Sequence, residues 1–285
     1  VSNTRSNSRY SFDAYHLTQG KSALLEVDSD GELELHSAGG TTVSLVARQG
    51  DVAPGTNGAT FSNLFAPQLA DSGHIVFRAN LAGAGVNGTN NVAIFRQSPG
   101  VNGGLELIAR LGDAAPDLNG GTFSTFSGPI ATNANGQVIF QSLVNGPLPA
   151  GSPIMIFGTD AYGHLRLAYR SGAQQAIGGG VTASVSCNYL PLETGGSDGA
   201  RRNFNDEGQF AFNDGWSAGA ASGGGIFIGR IPSAGDINGD GTVDAVDLGL
   251  LLGAWGPCGA TCGSDINRDG VVDAADLAIL LGAWG

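Results

Sequence analysis

The sequence contains little charge and almost no lysine. Charged residues make up 13% of the chain, roughly half of the ~25% found in average proteins, and Lys21 is the only lysine. The net charge of −12 excludes a basic nucleic-acid-binding surface. No apolar run approaches the ~18 residues of a transmembrane helix, and the 48 glycines follow no Gly-X-Y period. This glycine-rich composition, poor in strong helix formers, favours an acidic, soluble, mostly β protein.

The charge is distributed unevenly along the chain. Residues 1–234 carry 17 acidic and 12 basic residues, whereas residues 235–285 carry eight aspartates and the single basic residue Arg268. A short segment of turn residues, Ile231-Pro-Ser-Ala-Gly235, separates the two parts. We therefore expect a β-repeat domain over residues 1–230, a linker over 231–235, and a second domain over 236–285, called the tail below.

The three cysteines favour an extracellular protein rather than a zinc protein. Cys258 and Cys262 lie four residues apart, a span that a small disulfide can close. A zinc site needs about four ligands, and no second cysteine pair or nearby histidine exists. Cys187 is left over and is interpreted as a buried free thiol, with an intermolecular bridge as the alternative. The chain begins at Val1, so processing and fragmentation both stay open.

The tail contains an internal repeat that predicts two calcium sites. Two twelve-residue segments begin at Asp236 and Asp265, 29 residues apart, and both copies end in Leu-Leu-Gly-Ala-Trp-Gly. Calcium prefers six to eight oxygen ligands, which a loop of EF-hand type supplies from positions 1, 3, 5, 7, 9 and 12. These positions are Asp236, Asn238, Asp240, Thr242, Asp244 and Asp247 in the first copy, and Asp265, Asn267, Asp269, Val271, Asp273 and Asp276 in the second. Thr242 and Val271 would contribute their backbone carbonyls. Two bound calcium ions are therefore expected.

Each loop is followed by apolar residues at helical spacing. The stripes are Leu248, Leu251, Leu252 and Trp255, and then Leu277, Leu280, Leu281 and Trp284. This spacing predicts two amphipathic helices that pack antiparallel and hide both stripes. Val243 and Val272, at position 8 of their loops, are expected to pair with each other in a short β-bridge. A segment this small and acidic is expected to fold only with calcium bound.

The duplicated Asp-x-Asn-x-Asp-Gly-x-Val-Asp-x-x-Asp-Leu pattern of residues 235–285 resembles a type I dockerin. That resemblance implies a small all-α, EF-hand-like calcium-binding domain that attaches to a cohesin module on a scaffold or cell-surface protein. In dockerins, loop positions 10 and 11 and the helices contact the partner. Those positions correspond here to Ala245, Val246, Ala274 and Ala275.

Residues before the tail also repeat. Leu45-Val-Ala-Arg, Leu107-Ile-Ala-Arg and Leu167-Ala-Tyr-Arg recur 62 and 60 residues apart. Short apolar runs separated by Gly, Asn and Pro turns predict about four strands per unit, as in a β-propeller blade or a related stacked-sheet repeat. The predicted units are residues 45–106, 107–166 and 167–230, with partial strands in 1–44. The recurring Arg48–Asp51 and Arg110–Asp113 pairs are interpreted as structural.

The segments Asn133…Gly136…Phe140 and Asn205…Gly208…Phe212 resemble the tandem NxxGxxF-type repeats of secreted bacterial proteins, with Asp71 in place of the asparagine in the first copy. That resemblance implies an extracellular location and no established activity. Three units are fewer than the four or more blades of a closed propeller. Either the strands of residues 22–46 complete the last unit, or an edge stays open and accepts a strand from residues 1–20 of another copy.

No catalytic motif stands out. The four histidines are scattered, and no Gly-x-Ser-x-Gly elbow or phosphate-binding loop occurs. The histidines are His16, His36, His74 and His164, and the carboxylates considered for glycosidase chemistry are Glu106, Asp160, Glu193, Asp206, Glu207 and Asp214. We interpret both sets as turn and surface residues.

Three functions remain open on the sequence. The first is a secreted, non-catalytic β-repeat protein attached through its calcium-dependent tail to a cohesin-like or cell-surface protein. The second is a self-assembling extracellular filament or surface-layer subunit joined by β-strand complementation. The third is a polysaccharide-degrading or carbohydrate-binding subunit of a cellulosome-like complex.

Overall fold

The protein is mostly β, with two short helices near its C-terminus. A computed structural model describes residues 10–17, 21–27, 32–37, 43–70, 72–99, 104–148, 153–188, 190, 203–258 and 262–285, with side chains described from Leu45 onward except at Ala66. Sixteen strands of residues 10–230 form four antiparallel sheets of four strands each. The mostly β composition predicted from the sequence is confirmed.

Each sheet is a simple up-and-down meander. The first contains β1 (Tyr10–Leu17), β2 (Lys21–Val27), β3 (Glu32–Ser37) and β4 (Val43–Arg48). The second contains β5 (Thr60–Leu69), β6 (Ile75–Ala82), β7 (Val92–Gln97) and β8 (Leu105–Arg110). The third contains β9 (Thr122–Thr132), β10 (Val138–Asn145), β11 (Ile154–Thr159) and β12 (Leu165–Arg170). The fourth contains β13 (Ala173–Ala176), β14 (Thr182–Val185), β15 (Gln209–Ala218) and β16 (Ala221–Arg230).

The Asn-x-x-Gly segments are tight turns that start strands. Asn133 Oδ1 accepts hydrogen bonds from the backbone N–H groups of Asn135, at 3.1 Å, and Gln137, at 2.9 Å. Gly136 adopts a φ of 76°, a left-handed conformation that glycine tolerates without a Cβ clash. Asn205 makes the equivalent bonds before β15. Asp71 lies outside the described residues.

The sheets stack face to face, with one apolar cluster between each consecutive pair. The same register recurs in each sheet, because Phe77 pairs with Phe95 in the second sheet and Phe140 with Phe157 in the third. The two ring pairs have the same interplanar angle of 22°. The described strands form no closed barrel.

The sheets are offset by one strand from the units expected on the sequence. Arg48, Arg110 and Arg170 end the last strand of a sheet, so a unit counted from Leu45 begins with the fourth strand of the preceding sheet. Strands of residues 10–37 join β4 in a complete sheet. Within it β1 pairs with β2 of the same chain, whereas the rest of the segment 1–20 lies outside the described residues.

The tail contains α1 (Ala245–Gly253), β17 (Gly256–Pro257), β18 (Val271–Val272) and α2 (Ala274–Gly282). The expected pairing of Val243 with Val272 is wrong. Instead, Val272 pairs with Gly256, which follows α1, and the Val243 carbonyl accepts a 3.2 Å hydrogen bond from Gly285 N, which follows α2. Each loop is therefore joined to the end of the helix that follows the other loop.

The helices bury less of their apolar stripes than the spacing predicts. Leu251 and Leu280 are fully buried in the small core of the tail. Leu252 and Trp255, however, are 51% and 49% exposed, and Leu281 and Trp284 are 52% and 46% exposed. Two helices of nine residues each cannot cover stripes that continue to their C-terminal ends.

Candidate metal centre

The first loop is organised around the carboxylate of Asp236. This residue is 1% exposed. Its Oδ1 accepts hydrogen bonds from Gly239 N at 2.8 Å and Asp240 N at 3.1 Å, and its Oδ2 accepts one from Gly241 N at 2.9 Å. Burial raises the pKa of Asp236, while the hydrogen bonds and the nearby Arg166 oppose that rise. The chain thus turns around one buried carboxylate.

Asp247 closes the loop from the first turn of α1. Its side chain is fully buried, and its Oδ1 accepts hydrogen bonds from Ile237 N at 2.8 Å and Asn238 N at 3.0 Å. Its Oδ2 accepts a third bond from Asp244 N at 2.9 Å, while the Asp244 side chain caps the helix at Val246 N. This reciprocal arrangement is a capping box. Asp244, expected at ligand position 9, therefore has a structural role that the loop spacing alone did not reveal.

The second loop repeats this geometry. Asp265 is buried and accepts hydrogen bonds from Asp269 N and Gly270 N, at 3.2 and 2.9 Å. Asp276 accepts bonds from the backbone of Ile266, Asn267 and Asp273, and it forms the capping box of α2. Similar sequences at matching positions have produced similar loops.

The remaining predicted ligands lie on the outer side of the loops. Asn238 Nδ2 donates to Asp240 Oδ2 at 2.8 Å, and Asp240 Oδ1 accepts from the Thr242 hydroxyl at 2.7 Å. These hydrogen bonds lower the pKa of the exposed Asp240. Asn267 and Asp269 repeat the first contact at 2.9 Å. Val271, at position 7, presents a backbone carbonyl in β18.

The donor types fit a hard divalent cation. All proposed ligands are carboxylate, amide or backbone oxygens, the set that calcium prefers. Asp236 accepts three hydrogen bonds, fewer than the about four lone-pair positions of a carboxylate. Among the described residues, no three His, Cys, Asp or Glu side chains converge on one point. The inward-facing carboxylates of each loop are its first and last residues. The position-5 carboxylate (Asp240 or Asp269), the position-3 amide and backbone oxygens would complete the set.

The tail docks on the third sheet through Arg166, which the sequence did not single out. Arg166 is 7% exposed and donates to the carbonyls of Asp236 and Ser233. It also approaches Asp117 Oδ2 at 3.4 Å. Beside it lies a cavity of about 650 Å³, lined in part by Arg268. Nothing in the local Leu-Arg-Leu sequence distinguishes Arg166 from other strand arginines.

The described structure contains one disulfide and one free cysteine. Cys258 and Cys262 form a disulfide between the two halves of the tail. Cys187 is free and buried in the core between the third and fourth sheets. Burial raises its pKa to about 12, so the thiol is protonated and unreactive at neutral pH.

The sheet region matches a known protein family. The profile of a family of unknown function, DUF7453, matches residues 15–233. The chain belongs to this family. The match begins within β1, covers the rest of the four sheets and ends before the first loop aspartate, so the duplicated loops lie outside the DUF7453 region. No functionally curated protein matches the chain.

Several carboxylates of the DUF7453 region serve turns and strand contacts. Asp160 Oδ1 accepts from Tyr162 N and His164 N, and Glu106 pairs with Arg96 at 2.7 Å. Asp206 accepts from Ala134 N, and Glu207 approaches Arg230 at 3.9 Å. Burial alone would raise the pKa of Asp214, yet hydrogen bonds from Gly215, Asn188 and Ser186 hold it below its ordinary value. Glu193 lies outside the described residues.

The histidines form no cluster in the described part of the chain. His74 Nδ1 lies 2.8 Å from the Ser72 hydroxyl. His164 lies between Asp160, at 3.0 Å, and the Asp265 carbonyl, at 3.2 Å. The side chains of His16 and His36 lie outside the described set.

The two repeated arginine pairs differ from each other. Arg48 contacts Asp51 at 2.9 Å. Arg110 instead donates to the Asn90 carbonyl at 2.7 Å. Burial raises the pKa of Asp113, although the charge of Arg110 opposes that rise.

Proposed function

We propose that this protein is a secreted, non-catalytic DUF7453 protein whose tail is a calcium-dependent attachment module. The duplicated oxygen-rich loops support the calcium part of the proposal. In each loop the first and last aspartates are buried against backbone N–H groups. A bound cation would compensate the carboxylate charge, because buried carboxylates are retained when they are paired or coordinate metals.

One observation carries the attachment part. Large apolar side chains stay exposed along both tail helices, namely Val246, Leu250, Leu252, Trp255, Leu281 and Trp284. Exposed apolar surface that is concentrated in one region commonly marks a protein-binding site, and tryptophan is enriched among the residues that dominate binding energy. Ala245, Ala274 and Ala275, at the contact positions implied by the dockerin resemblance, are exposed as well. We therefore propose a cohesin-like or cell-surface protein as the partner.

The location and the sheet region complete the proposal. The disulfide of the tail suits an oxidising, extracellular compartment. No helix in the described part of the chain is long and apolar enough to cross a membrane. We propose that the four stacked meanders are blade-like units of a propeller-related body that the tail attaches to its partner.

Calorimetric titration of the chelator-treated chain with calcium tests the metal part. The two loops predict two calcium ions per chain, one ion for Asp265→Ala, and none for the Asp236→Ala/Asp265→Ala double variant. Asp51→Ala, which removes an exposed carboxylate outside the loops, is the matched control and should bind as the wild type does. Unchanged stoichiometry in the double variant would refute the metal assignment.

Binding to purified cohesin modules tests the attachment part separately. Surface plasmon resonance should detect calcium-dependent binding to at least one module, and Trp255→Ser/Trp284→Ser should weaken it without changing the calcium stoichiometry. Binding that survives both the double substitution and chelation would contradict the proposed surface.

A further inference from the structure

Among the described residues, the fourth sheet lacks an equivalent of the strand that ends each of the two sheets before it. In the second sheet, Phe95 of β7 pairs with Phe77 on one side and with Leu107 of β8 on the other. Phe157 of β11 has the corresponding partners in the third sheet. Phe227 of β16 pairs with Phe212, but β16 is the last strand of its sheet in the described part of the chain. By register, β16 corresponds to β7 and β11, and no described strand takes the place of β8 and β12.

A groove lies beside β16, at the place where β8 and β12 contribute leucines in the two preceding sheets. In the second sheet, Leu105 and Leu107 of β8 pack on the apolar cluster beside them, and Leu165 and Leu167 of β12 do the same in the third. At the equivalent place beside β16 lies a cavity of about 610 Å³. Its apolar lining includes Ala168, Tyr169, Ile177, Phe212 and Phe227. The cavity lies between the third and fourth sheets, where an additional strand beside β16 would insert its side chains.

The free edge of β16 is long and presents backbone donors outward. Ile231 N donates to the Gly208 carbonyl, so the alternation of antiparallel hydrogen bonds directs the N–H groups of Ile226 and Ile228 away from β15. Such a row of donors and acceptors is a template for a further strand. The edge spans ten residues, Ala221–Arg230.

Apolar side chains flank this edge on the outer face. Ile226 takes the register position of Ile94 and Ile156, both fully buried, yet it is 82% exposed. Ile228 is 76% exposed. An added strand would therefore meet apolar surface on both faces of the sheet, in the groove and beside the two isoleucines.

We propose that the β16 edge and its groove bind an extended segment of a partner protein as an antiparallel strand. The segment would place leucine-type side chains at alternate positions into the groove, following the Leu-x-Leu pattern of β8 and β12. Within the described residues, β4, β8 and β12 are already paired in their own sheets, so a second copy would have to open one of these sheets to donate such a strand. The proposal concerns a different surface from the calcium loops and does not depend on them.

Fluorescence anisotropy with the intact chain and a labelled peptide tests this proposal. The peptide copies residues 104–111, Gly-Leu-Glu-Leu-Ile-Ala-Arg-Leu, which contain β8. We expect saturable binding of this peptide. A control peptide with serine in place of its first two leucines should not bind. Ile228→Pro removes an outward N–H, a change that an edge strand tolerates, and should weaken binding about tenfold or more. Ile228→Thr keeps the N–H and the β propensity and should change affinity less than Ile228→Pro does.

Two results would overturn the proposal. One is absence of peptide binding to a chain whose circular dichroism and unfolding midpoint show it to be folded. The other is equal affinity of the wild-type and Ile228→Pro chains. Light scattering identifies a competing occupant: self-association that Ile228→Pro abolishes would show that a second copy fills this edge, contrary to the assignment of a partner strand.

Discussion

Separate replacement of Asp247 and Asp240 distinguishes two roles. Asp247 should stabilise the loop itself, whereas Asp240 should matter only as a calcium ligand. Asp247 is fully buried, and its carboxylate accepts backbone hydrogen bonds from Ile237, Asn238 and Asp244. Asp240 is exposed, and its side-chain contacts stay within the loop. Both residues occupy predicted calcium-ligand positions, but they should affect folding differently.

The expected magnitudes follow from these contacts. Asp247→Ala leaves three backbone N–H groups without an acceptor, and each such group costs about 1–3 kcal/mol when buried. The variant should lose at least ~3 kcal/mol of tail stability in calcium. Asp240→Ala should unfold as the wild type does in chelator. In the wild type, calcium at a hundred times its Kd should add about 2.7 kcal/mol per site, and Asp240→Ala should lose the contribution of the first site.

Urea unfolding monitored by tryptophan fluorescence measures both effects. A Trp216→Phe background leaves Trp255 and Trp284 as the only tryptophans, so the signal reports on the tail. Each variant is unfolded in calcium and in chelator. Asp269→Ala, in the second loop, is the matched control and should lose only the second site.

Either of two results would refute the reasoning. A full calcium-dependent gain in Asp240→Ala would remove that residue from the ligand set. An unchanged midpoint for Asp247→Ala in calcium would show that its buried hydrogen bonds do not stabilise the loop.

Three further predictions concern the DUF7453 region and its contact with the tail. Arg166→Met keeps a long apolar side chain but removes donors to the Ser233 and Asp236 carbonyls; hydrogen exchange of the tail should accelerate about tenfold or more, and unchanged exchange would contradict this docking role. The buried thiol of Cys187, with its pKa raised to about 12, should resist alkylation at pH 8 until urea unfolds the chain, and rapid native labelling would disprove its burial. Burial, and then the charge of Arg96, lower the pKa of His74 below 6.5. The unfolded chain therefore binds this proton more readily, and stability should fall as the pH drops below 6.5, with a smaller pH dependence in His74→Gln.

Local sequence was sufficient to predict the loops, helices and turns. Each loop folds through hydrogen bonds within about a dozen residues of the chain. The aspartates at its first and twelfth positions accept these bonds, and the glycine at the sixth position allows the turn. The same is true of Asn133, whose side chain bonds to the backbone of the turn it begins. The disulfide between Cys258 and Cys262 also joins near neighbours. Such features depend on few distant contacts, so spacing and residue type reveal them.

Other features depended on packing between distant segments. Repeat spacing revealed strands of about the right number, but not which four strands form one sheet, because the Leu-x-x-Arg motif ends one sheet rather than beginning the next. Helical periodicity marked Leu252 and Trp255 as core residues, yet the facing helix is too short to cover them. The roles of Asp244 and Asp273 as helix caps became clear only from their hydrogen bonds.

The sequence by itself determined the elements whose hydrogen bonds close locally: the paired aspartate loops, the two short helices, the asparagine turns and the short strands. Tertiary structure alone decided how these elements meet. It placed Arg166 under the tail, left the outer edge of β16 without a neighbouring strand among the described residues, and exposed Ile226 at a position that is buried in the two preceding sheets. The physical reason is that burial depends on which surfaces remain to cover a side chain, and neighbouring residues in the chain do not specify that.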